Sequence, residues 1–262
     1  MEIIVTVKQV PDTNDVKIDP TTGTLIREGV PSIVNPEDRH AVELALGIRE
    51  KYGDAKITVI SMGPPQAEVA LREVLAMGAD EAILLSDRAF AGSDTLATAC
   101  AIYYAIKKIG KFDLIICGRQ AIDGDTAQVG PQLAEFLGIP QFTYVIDAEI
   151  KDGRILTTRQ LENGSQRLET KLPVLLTCVK EANIPRIPTL KGCISAYRQK
   201  QVKVWNAEGV GAPISSIGLK GSPTQVRRTF QPPARGEGIV FNGDLTANVQ
   251  GLIEKLREKC YL

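Results

Sequence analysis

Residues 114–138 read LIICGRQAIDGDTAQVGPQLAEFLG. An apolar run, Leu114-Ile115-Ile116, gives way to a loop with glycines at 118, 124 and 130, and the loop opens into a segment of helical periodicity. A strand that ends in such a loop at the start of a helix offers unpaired main-chain N–H groups, the arrangement that holds phosphates. Asp123 and Asp125 lie in the same loop, and carboxylates repel a phosphate. Two readings account for the stretch. In one, the backbone cradles a nucleotide while the acids point elsewhere. In the other, Asp125 caps the helix with Gln128, three residues on, as its capping-box partner, and no ligand is needed.

Working outward, short β-rich runs alternate with longer segments of helical period. The runs are IIVTVKQV at the start, ITVISMG at 57–63, AILLSD at 82–87 and LIICG at 114–118. The intervening helices are expected over about Pro36–Tyr52, Pro65–Met77, Ser93–Ile109 and Thr126–Leu137. Asn35 and Ser93 suit N-caps, Pro36 and Pro65 suit first helical positions, and Gly53, Gly78, Gly110 and Gly138 suit helix C-termini. This alternation predicts a doubly wound α/β fold around a mainly parallel sheet covered on both faces. After Phe142 the pattern changes. FTYVIDAEIKDGRILTTRQLENGSQRLETKLPVLLTCV alternates apolar with polar and carries turn signals at Asp152-Gly153 and Asn163-Gly164, so it reads as an antiparallel hairpin extension. From Asn183 to about Thr246 no sustained period is visible, and the stretch is rich in proline and glycine. Its apolar residues, among them Leu190, Trp205, Ile214, Ile217, Leu219 and Phe230, suggest a long arm covered by another protein. A last helix is expected over about Ala247–Lys259. The division is thus 1–182 as a nucleotide-binding α/β domain and 183–262 as an extended arm and C-terminal helix packing on a partner subunit.

The chain has 262 residues, 44% of them hydrophobic, enough to bury a substantial core. Lys+Arg and Asp+Glu are equal at 31 each, so overall charge gives no support for nucleic-acid binding. Five scattered cysteines without a C-x-x-C resemble neither a disulfide framework nor a zinc site, and point to reduced thiols in a cytoplasmic protein. One histidine, His40, rules out a multi-histidine metal centre. No metal site and no acid, base or nucleophile of catalysis is expected.

In doubly wound sheets ligands sit beyond the carboxyl ends of the strands. The loops there read TVKQVPDT, SMGPPQ, SDRAFAGSDT and the loop after Ile116. GxGxxG after the first strand and GxxxxGK[ST] are both absent. The burden therefore falls on Gly118–Gly130. Ser93 and Asp94 are explained as a simple helix cap.

Specific strings now carry a resemblance. VKQVPDT, VNPEDRHAVELAL, ALREVLAMGAD, GRQAIDGDTAQVGPQLAEFLGIPQ and RQLENGSQRLETKLPVLLT are similar, in order and over nearly the whole chain, to the β subunit of electron transfer flavoprotein. The diagnostic spacing is Arg159, Glu162, Gly164, Gln166, Leu168, Pro173, Leu175, Leu176 and Thr177, with Asn163 where family members usually carry Gly or Asp. The resemblance implies a Rossmann-like fold and a heterodimer with the electron transfer flavoprotein α subunit. It implies an adenine nucleotide held by Thr6, Asn35, Pro36, Glu37, Asp38, Met62, Ala121, Ile122, Asp123, Gly124, Asp125, Thr126, Ala127, Gln128, Val129, Gly130, Pro131 and Gln132. The phosphates are expected on N–H groups around Thr126, Gln128, Val129 and Gly130, with Asp123 and Asp125 turned aside to cap the helix or hold ribose.

Housekeeping members of this family hold structural AMP in the site, whereas bifurcating members hold a second FAD that meets NADH. VPDTNDVKIDPTTGTLIREGVPSIVNPED, AFAGSDTLAT and GLKGSPTQV resemble the bifurcating group of anaerobes. That implies a hydride from NADH, one electron to ferredoxin or flavodoxin, and the other through the α-subunit FAD to an acyl-CoA dehydrogenase. Ser93 and Asp94 then become a candidate NADH contact, and Leu190 in IPRIPTLKG matches the leucine that anchors the dehydrogenase. The AMP-holding subunit and a nucleotide-binding sensor of the same fold are the alternatives. An ATP pyrophosphatase would want a Ser-Gly-Gly-x-Asp-Ser loop after the first strand, which the chain lacks.

Overall fold

A computed structural model describes residues 1–12, 31–227, 236 and 238–261. The chain enters through β1 (Glu2–Thr6), forms a small antiparallel pair from β2 (Gln9–Pro11) and β3 (Ser32–Val34), and continues into α1 (Pro36–Tyr52). There follow β4 (Lys56–Met62), α2 (Glu68–Met77), β5 (Glu81–Leu85), α3 (Thr95–Ile109), β6 (Leu114–Gly118) and α4 (Val129–Leu137). The hairpin strands are β7 (Gln141–Lys151), β8 (Arg154–Leu161) and β9 (Gly164–Lys171), and β10 (Val174–Cys178) returns to the centre. Then come α5 (Leu190–Arg198), β11 (Val202–Trp205) and the single turns α6 (Ala207–Val210) and α7 (Gly218–Gly221).

Apart from the β2-β3 pair, the described strands form one nine-stranded sheet in the order β11-β5-β4-β1-β6-β10-β7-β8-β9. It is parallel from β11 to β7 and antiparallel over β7-β8-β9. The expected α/β architecture is therefore the one observed, Rossmann-like and doubly wound with an antiparallel extension. Successive side chains of a strand point to opposite faces, so a continuous apolar run feeds two cores at once. Ile3 and Val5 enter the layer beneath α1 and α2, and Ile4 enters the layer beneath α3 and α4. Leu114 and Ile116 divide from Ile115 and Cys117 in the same way. All of these are buried.

The glycines at 53, 78, 110 and 138 stand at the C-caps of α1 to α4. The cap of α3 is not Ser93 but Asp94, whose carboxylate accepts from the Ala97 N–H at 3.0 Å. A carboxylate is the better acceptor next to a helix N-terminus, because it also meets the positive end of the helix dipole.

The expected arm from residue 183 requires correction. Residues 190–205 supply α5, which packs on α2, and β11, which extends the sheet beside β5 in parallel register. Gly192 makes that packing possible, since a Cβ there would stand 2.2 Å from the Ala76 carbonyl oxygen. Ile217 is buried and Trp205 packs against the α3 side, so neither waits for a partner. Leu190, Ile214 and Leu219 are exposed. The face that α5 turns to α2 carries small residues, Gly192 and Ala196, and β11 is only four residues long, so neither shows an apolar period and the region reads as irregular. The compact unit runs to Arg227, and Arg228–Leu262 is a second unit. Its described part holds α8 (Leu245–Glu258), capped by Asp244 through the Ala247 N–H. Phe230 and Thr13–Val30 lie outside the described residues. No helix among the described residues is long and apolar enough to cross a membrane.

Candidate functional site

In the sheet, β1 stands between β4 and β6. The helix reached from β1 covers one face and the helix following β6 covers the other. The crevice beyond the carboxyl ends of these two strands is the topological switch point, where doubly wound folds bind ligands. Thr6 ends β1, Met62 ends β4, Gly118 ends β6, and Asn35-Pro36-Glu37-Asp38 begins α1.

Asn35 stands at the N-cap position of α1 without capping it. Instead its Nδ2 donates to the Gln120 carbonyl at 2.8 Å, and its Oδ1 accepts from the Ile122 N–H at 3.1 Å. Glu37 accepts from the Gln120 N–H at 2.9 Å and pairs with Arg119 at 2.8 Å. The first turn of α1 thus clamps the loop that leaves β6. Gly118 permits the close approach: a Cβ there would lie 2.3 Å from Asp38 Oδ1 and 2.8 Å from the Asp38 nitrogen. Gly130 seats the start of α4 on β10, with Thr177 Cγ2 2.6 Å from the position a Cβ would take. These two glycines serve packing, whereas the loop's unusual backbone comes from non-glycine residues. Asp125 and Ala127 have φ of 50° and 53°, a left-handed conformation that costs an L-residue roughly 1–2 kcal/mol. Left-handed residues alternating with others turn successive N–H groups toward one concavity, a nest for anions.

Among the described residues, the N–H groups of Thr126, Ala127, Gln128, Val129 and Gly130 have no hydrogen-bond acceptor. The side-chain atom Oε1 of Gln132 and Nε of Arg119 are buried and also without partners. Thr126 and Gln128 are exposed, Ala127 and Val129 half-buried and Gly130 buried, so water can reach most of these donors and they stand open to an anionic acceptor. Both acids are committed elsewhere. Lys8 Nζ donates to both oxygens of Asp123 at 2.7 and 2.8 Å, and Gln120 Nε2 donates to Asp125 Oδ1. The capping box is therefore not formed: α4 starts at Val129, and its N-cap Gln128 makes no side-chain cap bond. Asp125 lies too far before that first turn, and its carboxylate accepts from Gln120 instead. The five free N–H groups and the diverted carboxylates fit a phosphate-bearing group.

Asp38 is buried behind this loop. Its Oδ2 accepts from the Lys8 N–H at 2.7 Å. Burial pushes its carboxyl up to about 7, against the opposing pull of the Lys8 N–H bond and the Lys8 charge. The same desolvation pushes the Cys117 thiol up to about 12 and that of Cys178 well above its ordinary value. Both remain thiols, inert beneath the site.

Ser93 and Asp94 hold a different segment. Ser93 Oγ accepts from the Gly218 N–H at 3.0 Å, and Asp94 Oδ2 accepts from the Thr224 N–H and hydroxyl at 3.0 and 2.8 Å. The start of α3 already has the Asp94 carboxylate. Thr95 is what reaches the loop, its hydroxyl donating to Gln128 Oε1 at 2.9 Å. Leu190 opens α5 and is 79% exposed. Lys8, Arg119 and Gln120 join the site although their residue types did not single them out. The available signal for Lys8 was a lone cation directly after an apolar strand.

Fold and loop together define the class: a doubly wound α/β protein with a loop of acceptor-free main-chain amides at the switch point and no fingerprint of the commonest dinucleotide folds. A family model described as "Electron transfer flavoprotein domain" matches residues 22–209. The chain is 57% identical over 259 residues to the electron transfer flavoprotein subunit beta of Thermoanaerobacterium thermosaccharolyticum, covering 99% of each chain. It is 54% identical over 260 residues to subunit CarD of the caffeyl-CoA reductase-Etf complex of Acetobacterium woodii, again covering 99% of each. Against the acryloyl-CoA reductase electron transfer subunit gamma of Anaerotignum propionicum the identity is 45% over 267 residues, with 99% of each covered. The chain belongs to the electron transfer flavoprotein family, as a β subunit.

Proposed function

We propose that this subunit holds FAD at the switch point, receives a hydride from NADH there, and takes part in electron bifurcation. One electron goes to ferredoxin or flavodoxin, and the other passes through the FAD of the α subunit to an acyl-CoA dehydrogenase. The observation that carries the reading is the run of five acceptor-free N–H groups from Thr126 to Gly130, with Asp123 and Asp125 both paired away from them. Relatives named as subunits of caffeyl-CoA and acryloyl-CoA reductases support an acyl-CoA redox partner.

The flavin would supply the redox chemistry, namely hydride acceptance and release of single electrons. The chain's own residues bind and orient. Main-chain amides of 126–130 would hold the diphosphate at little reorganisation cost, because Asn35 and Glu37 already fix the start of the loop at Arg119, Gln120 and Ile122. Gln132 and Arg119 bring unpaired polar atoms that a nucleotide can satisfy. No side chain needs to transfer a proton. On the same reading Leu190 docks the dehydrogenase as an apolar knob. The exposed Leu245, Val249 and Leu252, spaced along one stripe of α8, pack on the α subunit. The site is cytoplasmic, where NADH is supplied.

Cofactor extraction from the co-expressed heterodimer tests this. Two FAD per heterodimer and bleaching by NADH are expected. One FAD with one AMP, and no response to NADH, would make it the AMP-holding carrier instead.

A further inference from the structure

Lys8 is held on both sides through its main chain. Its N–H donates to the buried Asp38 at 2.7 Å, and its carbonyl accepts from the Asn35 N–H at 2.8 Å. The backbone is thus fixed, and the ammonium grips both Asp123 oxygens at 2.7 and 2.8 Å. Among the described residues Asp123 has no other hydrogen-bond partner. The Lys8 side chain is 47% exposed and that of Asp123 16%. An ion pair with one partner so exposed contributes little to folding stability. Its position gives it another consequence. Asp123 stands three residues before Thr126, where the free N–H groups begin. A carboxylate there opposes any anion the loop receives, and the Lys8 ammonium is what covers and offsets it.

We propose that Lys8 is a positioning and specificity-determining residue, the counter-charge that cancels Asp123 and so admits phosphate-bearing ligands to the 126–130 amides. This rests on the nucleotide reading above. The role is electrostatic rather than architectural, since Asn35 and Glu37 already clamp the loop without it. The pair consequently sets the preference for phosphorylated over uncharged nucleosides, while the amides supply the contacts themselves.

The test uses the heterodimer with its α subunit, depleted of nucleotide and titrated calorimetrically with AMP and with adenosine. Lys8→Gln is expected to weaken AMP about tenfold or more while leaving adenosine nearly unchanged. Lys8→Arg keeps the cation and should bind AMP like the wild type. Adding Asp123→Asn to Lys8→Gln should restore most of the AMP affinity, because the charge to be cancelled is gone. Equal losses for AMP and adenosine, or a double variant as weak as Lys8→Gln, would show that Lys8 merely shapes the loop. AMP binding unaffected by Lys8→Gln, in a wild type that binds AMP, would overturn the assignment alone. A wild-type heterodimer that takes up neither FAD nor AMP would overturn the nucleotide reading and this inference with it.

Discussion

Asn35, fully buried at the N-cap position of α1, spends its carboxamide on Gln120 and Ile122 rather than on its own helix. That bond ties the helix following β1 to the loop following β6, across the crevice where the nucleotide reading places the phosphates. Asn35→Ala strands the Gln120 carbonyl and the Ile122 N–H, and a buried unsatisfied group costs about 1–3 kcal/mol. The variant should melt at lower temperature and lose bound nucleotide faster than wild type. An unchanged melting curve, with and without nucleotide, would contradict the clamp.

Three glycines of the loop should respond differently to alanine. Gly118→Ala drives a Cβ into the Asp38 backbone and carboxylate, so overpacking should cost roughly 1–3 kcal/mol. Gly130→Ala clashes with the Thr177 Cγ2 at 2.6 Å and meets Leu175 and Cys117 at ordinary contact distance, so a second change, Thr177→Ser, removes the clashing methyl and should recover most of the loss. Gly124 has open space and φ outside the left-handed range, so alanine there should shift stability by under about 0.5 kcal/mol. Guanidinium midpoints of the three variants check the order, and a Gly124→Ala as damaging as Gly118→Ala would refute the packing account.

Asp38 predicts a pH dependence. Its carboxyl titrates near 7 in the fold, against an ordinary value of 3.8, because burial disfavours the charge. The folded chain therefore binds more protons than the unfolded chain between about pH 4 and 7, and stability falls as pH rises through that window. The full effect is on the order of 4 kcal/mol at the upper end. Asp38→Asn, which can still accept from the Lys8 N–H, should flatten the slope over this range. Denaturant titrations at pH 5 and 7 with identical slopes in both proteins would remove Asp38 as its source.

Leu190 is 79% exposed, so Leu190→Ala should change folding stability by under about 0.5 kcal/mol and leave flavin content intact. As a docking anchor it should nevertheless cost about tenfold or more in affinity for the dehydrogenase. Surface plasmon resonance against that partner measures this. Loss of flavin with unchanged docking would mark it as a structural residue.

Much of this was legible in the sequence, and the reasons are physical. The apolar strands and periodic helices announced themselves because their buried faces carry large apolar residues in unbroken runs or at helical spacing. The hairpins signalled by Asp152-Gly153 and Asn163-Gly164 did so through turn chemistry, although the second loop is Glu162-Asn163, with Gly164 already in β9 opposite Leu161. Residues 190–205 did not, because α5 meets α2 through small residues, β11 has only four residues, and both gain their order from α2 and β5 rather than from local pattern. The loop's position after β6 was readable from its glycines, yet Gly118 and Gly130 serve packing, and the left-handed residues are Asp125 and Ala127. No local rule marks an alanine for that conformation. Nor could the Lys8–Asp123 pair be seen, since 115 residues of chain separate its members.

A crystal structure of the heterodimer with its own nucleotide tests the central claim most directly. The account predicts phosphate oxygens within hydrogen-bond distance of the main-chain nitrogens of Thr126 to Gly130, with Asp123 still on Lys8 and Asp125 still on Gln120. A nucleotide bound elsewhere on the chain, or phosphates facing the two carboxylates with those amides left unpaired, would contradict it.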